Sequence, residues 1–78
     1  MIKKQLKLII TFRTTTEAMT MEQMCKTHGL DGRLIPVPKT ITAGCGLAWC
    51  ARLESREILI VQMKTFGIEA EGVYECII

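Results

Sequence analysis

Hydrophobic residues alternate with mostly polar ones near the start of the chain, a pattern that predicts a strand with one buried face. The inward positions are Leu6, Leu8, Ile10 and Phe12, and the outward positions are Lys7, Ile9, Thr11 and Arg13. A second alternation over Leu47–Leu53 predicts another strand, whose larger apolar residues Leu47, Trp49 and Ala51 point inward. The apolar run Val73–Ile78 predicts the last strand.

One further strand is predicted over Arg33–Pro38. Pro36 and Pro38 have no N–H to donate to a neighbouring strand, and prolines are therefore confined to the edges of sheets. We expect this strand at an edge.

Two segments carry the signals of helices. Thr14 stands three residues before Glu17, a capping-box arrangement that predicts a first helix over Thr15–His28. Ser55 is the expected N-cap of a second helix over Arg56–Phe66. Residues 26–30, Lys-Thr-His-Gly-Leu, recur 38 positions later as residues 64–68, Lys-Thr-Phe-Gly-Ile. The repeat predicts two comparable halves, each with a helix that ends at a glycine.

The order strand, helix, strand, strand, helix, strand predicts an α+β fold, a ferredoxin-like βαββαβ sandwich. It should have an antiparallel four-stranded sheet with both helices on one face, because right-handed crossovers make this the simplest arrangement. We expect one domain over residues 1–78, since a chain of 78 residues has room for one hydrophobic core.

Charge and composition argue against several classes of partner. Ten basic and eight acidic residues are spread along the chain, with no block of like charge to form a nucleic-acid tail. RNA-binding domains with this strand order stack bases on aromatic residues of the two central strands, and such residues are missing here. We therefore expect no nucleic-acid partner. Lys7 interrupts the apolar start and no signal-peptide cleavage pattern follows, which favours a cytoplasmic protein with no membrane association.

Cys45 is the candidate for chemistry, because Gly44 and Gly46 flank it in a turn-like segment. In the predicted topology it lies at one sheet edge with the end of the first strand and the start of the first helix. The neighbours expected around it are Arg13, Thr14, Thr15, Lys39, Gly44 and Gly46. A helix N-terminus and nearby cations favour a thiolate. The alternative is that Cys45 is a small residue filling a turn.

The other cysteines favour structural roles and free thiols. Cys50 is expected on the open sheet face, roughly 16 Å from Cys45 along the strand and unable to pair with it. Cys25 falls in an apolar helix stripe and Cys76 shares parity with Tyr74, so both are expected in the core. The chain has no close cysteine pair, and its one histidine, His28, has no second histidine or acidic cluster beside it, so no metal site is predicted.

The second helix is apolar around much of its circumference, including Ile58, Ile60 and Val61. These side chains cannot all face one core. Some must be exposed or contact a partner, which makes a homodimer a hypothesis.

Three segments resemble the bacterial family of small selenium/sulfur carrier protein-like domains. They are Arg33–Pro38, Cys45–Ala48 and Glu71–Tyr74, and single positions that also fit are Phe12, Thr14, Ala18, Gly29 and Gly67. The resemblance covers nearly the whole chain, although Cys50 stands where the family more often has arginine or another residue.

The resemblance implies that Cys45 carries sulfur or selenium as a persulfide or selenopersulfide and exchanges it with donor and acceptor proteins. It implies no bound cofactor, because the cargo sits on the thiol itself. The alternative from the residues alone is a non-enzymatic protein-interaction or small-ligand-binding module in which Cys45 is structural.

Overall fold

A computed structural model of the protein describes residues 5–41 and 46–77. The elements in chain order are β1 (Leu6–Thr11), α1 (Thr15–His28), β2 (Arg33–Pro36), β3 (Leu47–Arg52), α2 (Arg56–Thr65) and β4 (Gly72–Ile77). The four strands form one antiparallel sheet in the order β2-β3-β1-β4. The predicted α+β fold, with its helices on one face of the sheet, is confirmed.

The bounds of the elements agree with the predictions to within two residues. Helix α1 spans the predicted residues, whereas α2 ends one residue early because Phe66 is its C-cap. Strand β2 lies at a sheet edge, as its prolines predicted, and ends at Pro36. Strand β3 ends at Arg52, because a short 3-10 turn over Leu53–Ser55 leads into α2.

The core lies between the helices and one face of the sheet. From the sheet, the fully or almost fully buried residues are Leu8, Ile10, Phe12, Trp49 and Ala51. From the helices and the segment after α2, they are Ala18, Met21, Met24, Cys25, Leu59, Met63 and Ile68. The inward residues of β1 thus face the helices, as the alternating pattern predicts. Burial of each large apolar side chain contributes roughly 1.5–3 kcal/mol to the stability of the fold.

The sequence repeat corresponds to two helix ends of the same geometry. Gly29 and Gly67 both adopt positive φ, 66° and 72°, which costs glycine little because it has no Cβ. The residue after each glycine donates its N–H back into the helix, from Leu30 to Cys25 O at 2.9 Å and from Ile68 to Met63 O at 2.8 Å. These bonds satisfy carbonyls that a helix end otherwise leaves unpaired.

Asp31 connects the turn after α1 to the end of β3 and the start of α2. Its Oδ2 accepts hydrogen bonds from Arg52 N at 2.8 Å, from Arg52 Nε at 3.4 Å and from Ser55 Oγ at 3.4 Å. Ser55 is the N-cap residue of α2, as predicted, but its side chain makes no cap hydrogen bond and directs its hydroxyl to Asp31. These bonds to the charged form hold the Asp31 pKa below its ordinary value, although partial burial opposes them.

The sheet face opposite the helices, which we call the open face, carries two residues that were predicted to lie in the core. Cys76 pairs with Lys7 and Tyr74 pairs with Ile9, and Lys7 and Ile9 both lie on this face. Cys76 is half-buried there and Tyr74 is exposed, so neither belongs to the core. The two side chains do lie on the same face of β4, as their spacing predicts, but this alternation does not say which face of the strand the helices cover.

We predict that Gly32→Ala destabilises the fold by about 3 kcal/mol, measured as the free energy of unfolding in urea. Gly32 has φ 121°, and a Cβ there would overlap the Trp49 indole and lie 2.8 Å from the Cys50 carbonyl oxygen. The indole is held in place because Trp49 Nε1 donates to Asp31 O at 3.1 Å.

Gly29→Ala is the matched control, because Gly29 also has positive φ but a Cβ there would contact nothing within 4 Å. It should cost only the backbone strain, about 1 kcal/mol. Equal losses in the two variants would show that the contact with Trp49 is unimportant.

Candidate functional site

The ends of β1 and β2, the starts of β3 and β4 and the start of α1 meet at one end of the sheet. Pro36 at the end of β2 pairs with Leu47 at the start of β3, and Thr11 at the end of β1 pairs with Gly72 at the start of β4. We call this the Gly46 edge, after the residue that precedes β3. The predicted site residues Cys45 and Gly44 lie outside the described residues, and Gly46 is the described residue next to Cys45.

Gly46 is held beside the end of β2. Val37 donates its N–H to the Gly46 carbonyl at 3.0 Å, which extends the pairing of β2 and β3 by one bond beyond the strand ends. Gly46 has φ 76°, a left-handed conformation that explains the glycine at this position. The hydrogen bond fixes where the chain enters β3.

Arg13 reaches the same edge from β1. Thr11 pairs with Ala48, so Arg13 and Gly46, each two residues beyond that pair, leave the two neighbouring strands at the same end of the sheet. Arg13 Nη1 lies 3.6 Å from Glu69 Oε2, and both side chains are mostly exposed. An exposed pair of this kind contributes at most about 1 kcal/mol, so Glu69 partly offsets the positive charge of Arg13 without burying it.

Thr14 and Thr15 provide the N-terminus of α1 at this edge. Thr14 is the N-cap, and its Oγ1 accepts the Glu17 N–H at 3.2 Å. The predicted capping of α1 by Thr14 is therefore confirmed, although the carboxylate of Glu17 lies near the Thr14 hydroxyl, at 3.3 Å. Thr15 is the first residue of α1 and is exposed. The first amides of a helix have no intrahelical acceptor and carry partial positive charge.

Lys39 lies in a turn that follows β2. Ile41 donates its N–H to Pro38 O at 2.9 Å, which closes the turn around Lys39 and Thr40. The Lys39 side chain is exposed and forms no ion pair with any residue of the described ranges. Lys39, Arg13 and the α1 N-terminus thus bring positive charge to the Gly46 edge, where the carboxylates of Glu17, Glu69 and Glu71 also lie. A cation or a helix N-terminus close to a thiol stabilises its thiolate.

Two of the described cysteines have pKa values that make them poor nucleophiles at neutral pH. Burial raises the pKa of Cys25 to about 11, with a smaller contribution from the negative charge of Asp31. Burial also raises the pKa of Cys50, although Lys7 and Arg33 oppose it. Cys25 lies in the core, as predicted, and Cys50 lies half-buried on the open face, also as predicted.

No three His, Cys, Asp or Glu side chains among residues 5–41 and 46–77 come together in the way a metal site requires. Over the same ranges, no helix has the length and apolar character needed to cross a membrane.

Sequence reasoning missed Glu69 and Asp31. Glu69 follows α2 and contacts Arg13 only because the end of α2 and the end of β1 lie at the same edge, and no local pattern signals this contact. Asp31 precedes a glycine, a dipeptide that is common in surface turns. Its role depends on Arg52 and Ser55, which are more than twenty residues away in the chain. Neither the spacing of Arg13 and Glu69 nor the spacing of Asp31 from Arg52 and Ser55 forms a recognisable sequence motif.

Comparison with known protein families adds an independent finding. A family model described as "Putative Se/S carrier protein-like" matches residues 7–75, which is most of the chain. No curated protein and no solved structure matches.

We predict that Thr14→Ala lowers the free energy of unfolding by about 1 kcal/mol, because the Glu17 N–H loses its acceptor at the start of α1. Thr16→Ala is the control, since Thr16 lies in the first turn of α1, is exposed and has a side chain that does not cap the helix. Alanine has the higher helix propensity, so this control should be neutral or slightly stabilising in the same urea titration. A Thr14→Ala variant as stable as Thr16→Ala would contradict the capping role.

Proposed function

The chain belongs to the Se/S carrier protein-like family, and we propose that it carries sulfur or selenium as a persulfide or selenopersulfide on Cys45. The observation that carries this proposal is the family match over residues 7–75, which includes Cys45 and the residues of the Gly46 edge. The family name suggests the cargo, and the choice of Cys45 rests on its two flanking glycines and on its neighbours in sequence.

The proposed reaction is a transfer of one sulfur atom between thiols. The Cys45 thiolate attacks the terminal sulfur of a donor persulfide, a new S–S bond forms, and the donor's own S–S bond breaks to release the donor thiolate. An acceptor thiolate then attacks the terminal sulfur on Cys45 and regenerates the Cys45 thiolate. Each step moves one sulfur and no net electrons, so neither an oxidant nor a reductant is consumed.

The helix N-terminus and the cations of the Gly46 edge support this chemistry. Both the thiolate and the persulfide are anions, and exposed Lys39, the N-terminus of α1 and Arg13 supply positive charge there, beside the carboxylates of Glu17, Glu69 and Glu71. Two of the three described cysteines support it by contrast, because Cys25 is buried and burial raises the pKa of both Cys25 and Cys50. Neither thiol is well placed to act as a carrier at neutral pH.

The partners and the compartment of the proposed reaction follow from the same thiol chemistry. A carrier needs a donor protein and an acceptor protein, and both must reach an exposed thiol. We propose that the carrier unit is a single domain over residues 1–78 that works in the bacterial cytoplasm, where a reducing environment keeps thiols free.

A protein-interaction or ligand-binding module is the second candidate function, in which Cys45 only completes a turn. The exposed apolar residues of α2 favour it, since Ile58 and Val61 are 50% and 58% exposed. The same two residues support the proposal of a homodimer through this helix.

We predict a dimeric mass for the full chain in sedimentation equilibrium at micromolar concentration. Val61→Glu should shift the protein towards the monomer, because it places a charge in the proposed apolar contact. Met19→Glu, on the exposed side of α1, is the control and should leave the mass unchanged. A monomeric wild-type protein would refute the homodimer.

We predict that incubation with a small-molecule persulfide donor adds the mass of one sulfur atom to the wild-type protein and not to Cys45→Ser. The measurement is the intact mass under non-reducing conditions. Cys50→Ser is the matched control and should load like the wild type, because burial raises the pKa of the Cys50 thiol and disfavours its thiolate.

Equal loading of the wild type and Cys45→Ser would sink the assignment of Cys45. The alkylation rate at pH 7 separates the two candidate functions, because a carrier requires Cys45 to react faster than Cys50. If Cys45 is alkylated as slowly as Cys50 and Cys45→Ser leaves partner binding intact, the interaction module is the better description.

A further inference from the structure

A cavity of about 310 Å³ opens where β1 and β2 begin and β3 ends, at the end of the sheet opposite the Gly46 edge. The polar residues that line it are Lys7, Asp31, Arg33, Cys50 and Arg52. We call it the cationic cavity. Arg52 lies six residues from Gly46 along an extended strand, so the two regions are about 20 Å apart.

The register of the sheet brings the three cations of this cavity onto one face. Lys7 on β1 is directly opposite Arg52 on β3, and Arg33 on β2 is directly opposite Cys50 on β3. Cys50 and Arg52 are two residues apart on one strand, so all four side chains belong to the open face. Like charges directly opposite each other on neighbouring strands are destabilising, and in the Lys7 and Arg52 pair Asp31 contacts Arg52 alone.

The charges of the cationic cavity do not balance. Asp31 is the one carboxylate among the described residues that line it, and its Oδ2 already accepts from Arg52 and Ser55. Lys7 and Arg33 form no ion pair with any residue in the described ranges. Three positive charges and one negative charge leave a formal charge of +2 around the cavity.

The sheet register places Cys50 between these cations, because Arg33 of β2 is directly opposite it and Lys7 of β1 is two residues from its partner Ile9 on the same face. Burial and Asp31 raise the pKa of the Cys50 thiol, and the positive charges of Lys7 and Arg33 oppose them. The thiol lies half-buried between these two cations and is a weak hydrogen-bond donor. An ion above Cys50 would therefore be within reach of cations from β1, β2 and β3.

We propose that the cationic cavity binds a small tetrahedral oxyanion with two negative charges, of the type of phosphate or sulfate. The charge of such an ion equals the surplus around the cavity, and the volume holds the ion together with some of its water. Arginine side chains offer paired N–H donors to two oxygens of an oxyanion, and lysine adds a point charge. This site is separate from Cys45 and does not depend on the proposed carrier function.

A free ion fits this cavity better than the phosphodiester chain of a nucleic acid. Each phosphodiester carries one negative charge, and proteins that hold single strands combine a charged groove with aromatic stacking platforms. On the open face, the described positions of β1 and β3 that flank the cavity are Lys7, Ile9, Cys50 and Arg52, none of them aromatic. Tyr74 of β4 is exposed on this face, but its ring lies over Gly72 at the Gly46 edge, away from the cavity. The cations are also gathered at one end of the sheet.

The test is isothermal titration calorimetry of the full chain with inorganic phosphate, at constant ionic strength set by sodium chloride. We expect saturable binding with one site and a Kd on the order of 1 mM or tighter. Arg33→Gln and Lys7→Gln should each weaken binding at least about tenfold, since each removes a direct charge contact. Lys26→Gln, which removes an exposed cation from the last turn of α1, is the matched control and should change the Kd less than about twofold.

Alkylation of Cys50 by iodoacetamide gives a second measurement on the same variants. Phosphate should slow this alkylation in the wild type and in Lys26→Gln, and should have no effect in Arg33→Gln. The proposal is overturned if no saturable binding is seen up to about 20 mM phosphate, well above the expected Kd. It is also overturned if Lys26→Gln weakens binding as much as Arg33→Gln, or if a single-stranded RNA binds in place of phosphate and more tightly.

Discussion

The register of β1 in the sheet decides which side chains lie on each of its two faces. This strand is central in the sheet and pairs along its whole length with β3 on one side and β4 on the other. Leu8, Ile10 and Phe12 are fully buried against the helices, and a slip of one residue would turn all three to the open face and place Lys7 and Thr11 against the helices instead. The cost of such a slip fixes the register, and the register in turn decides which side chains share the open face.

The same constraint gives the two ends of the sheet different electrostatic environments. At the Gly46 edge, a helix N-terminus and exposed cations lie together with the carboxylates of Glu17, Glu69 and Glu71. Such charges act through water and are screened by salt. At the other end, three cations line the cavity around one half-buried thiol, and the one carboxylate among the described lining residues already accepts hydrogen bonds from Arg52 and Ser55. One end suits a reactive anion that partners must reach, and the other suits a small ion held in place.

The elements of the fold could be predicted because their signals are local. A capping residue at Thr14 and a glycine after His28 delimit α1, and both act through hydrogen bonds within one or two helical turns. The prediction for Cys76 was wrong, and Ser55 is the N-cap of α2 without the side-chain hydrogen bond of a cap, because groups distant in the chain decide both. Ser55 has the chemistry of an N-cap, but the Asp31 carboxylate, 24 residues earlier, takes its hydroxyl. Cys76 alternates as a core residue would, but its face of β4 is not the one the helices cover.

By itself, the sequence determined the order of the strands and helices, the inward face of β1 and β3 and the edge position of β2. The signals for these features are the hydrophobic period, the capping residues and the prolines, and each can be recognised within a few neighbouring residues. The sequence also determined which thiol stands between two glycines. The tertiary structure alone decided that Glu69 meets Arg13, that Asp31 joins three segments and that Lys7, Arg33 and Arg52 line one cavity. These groups are far apart in the chain, and only pairing across strands and packing of helix ends bring their charges within a few ångströms, where Coulomb interactions become strong.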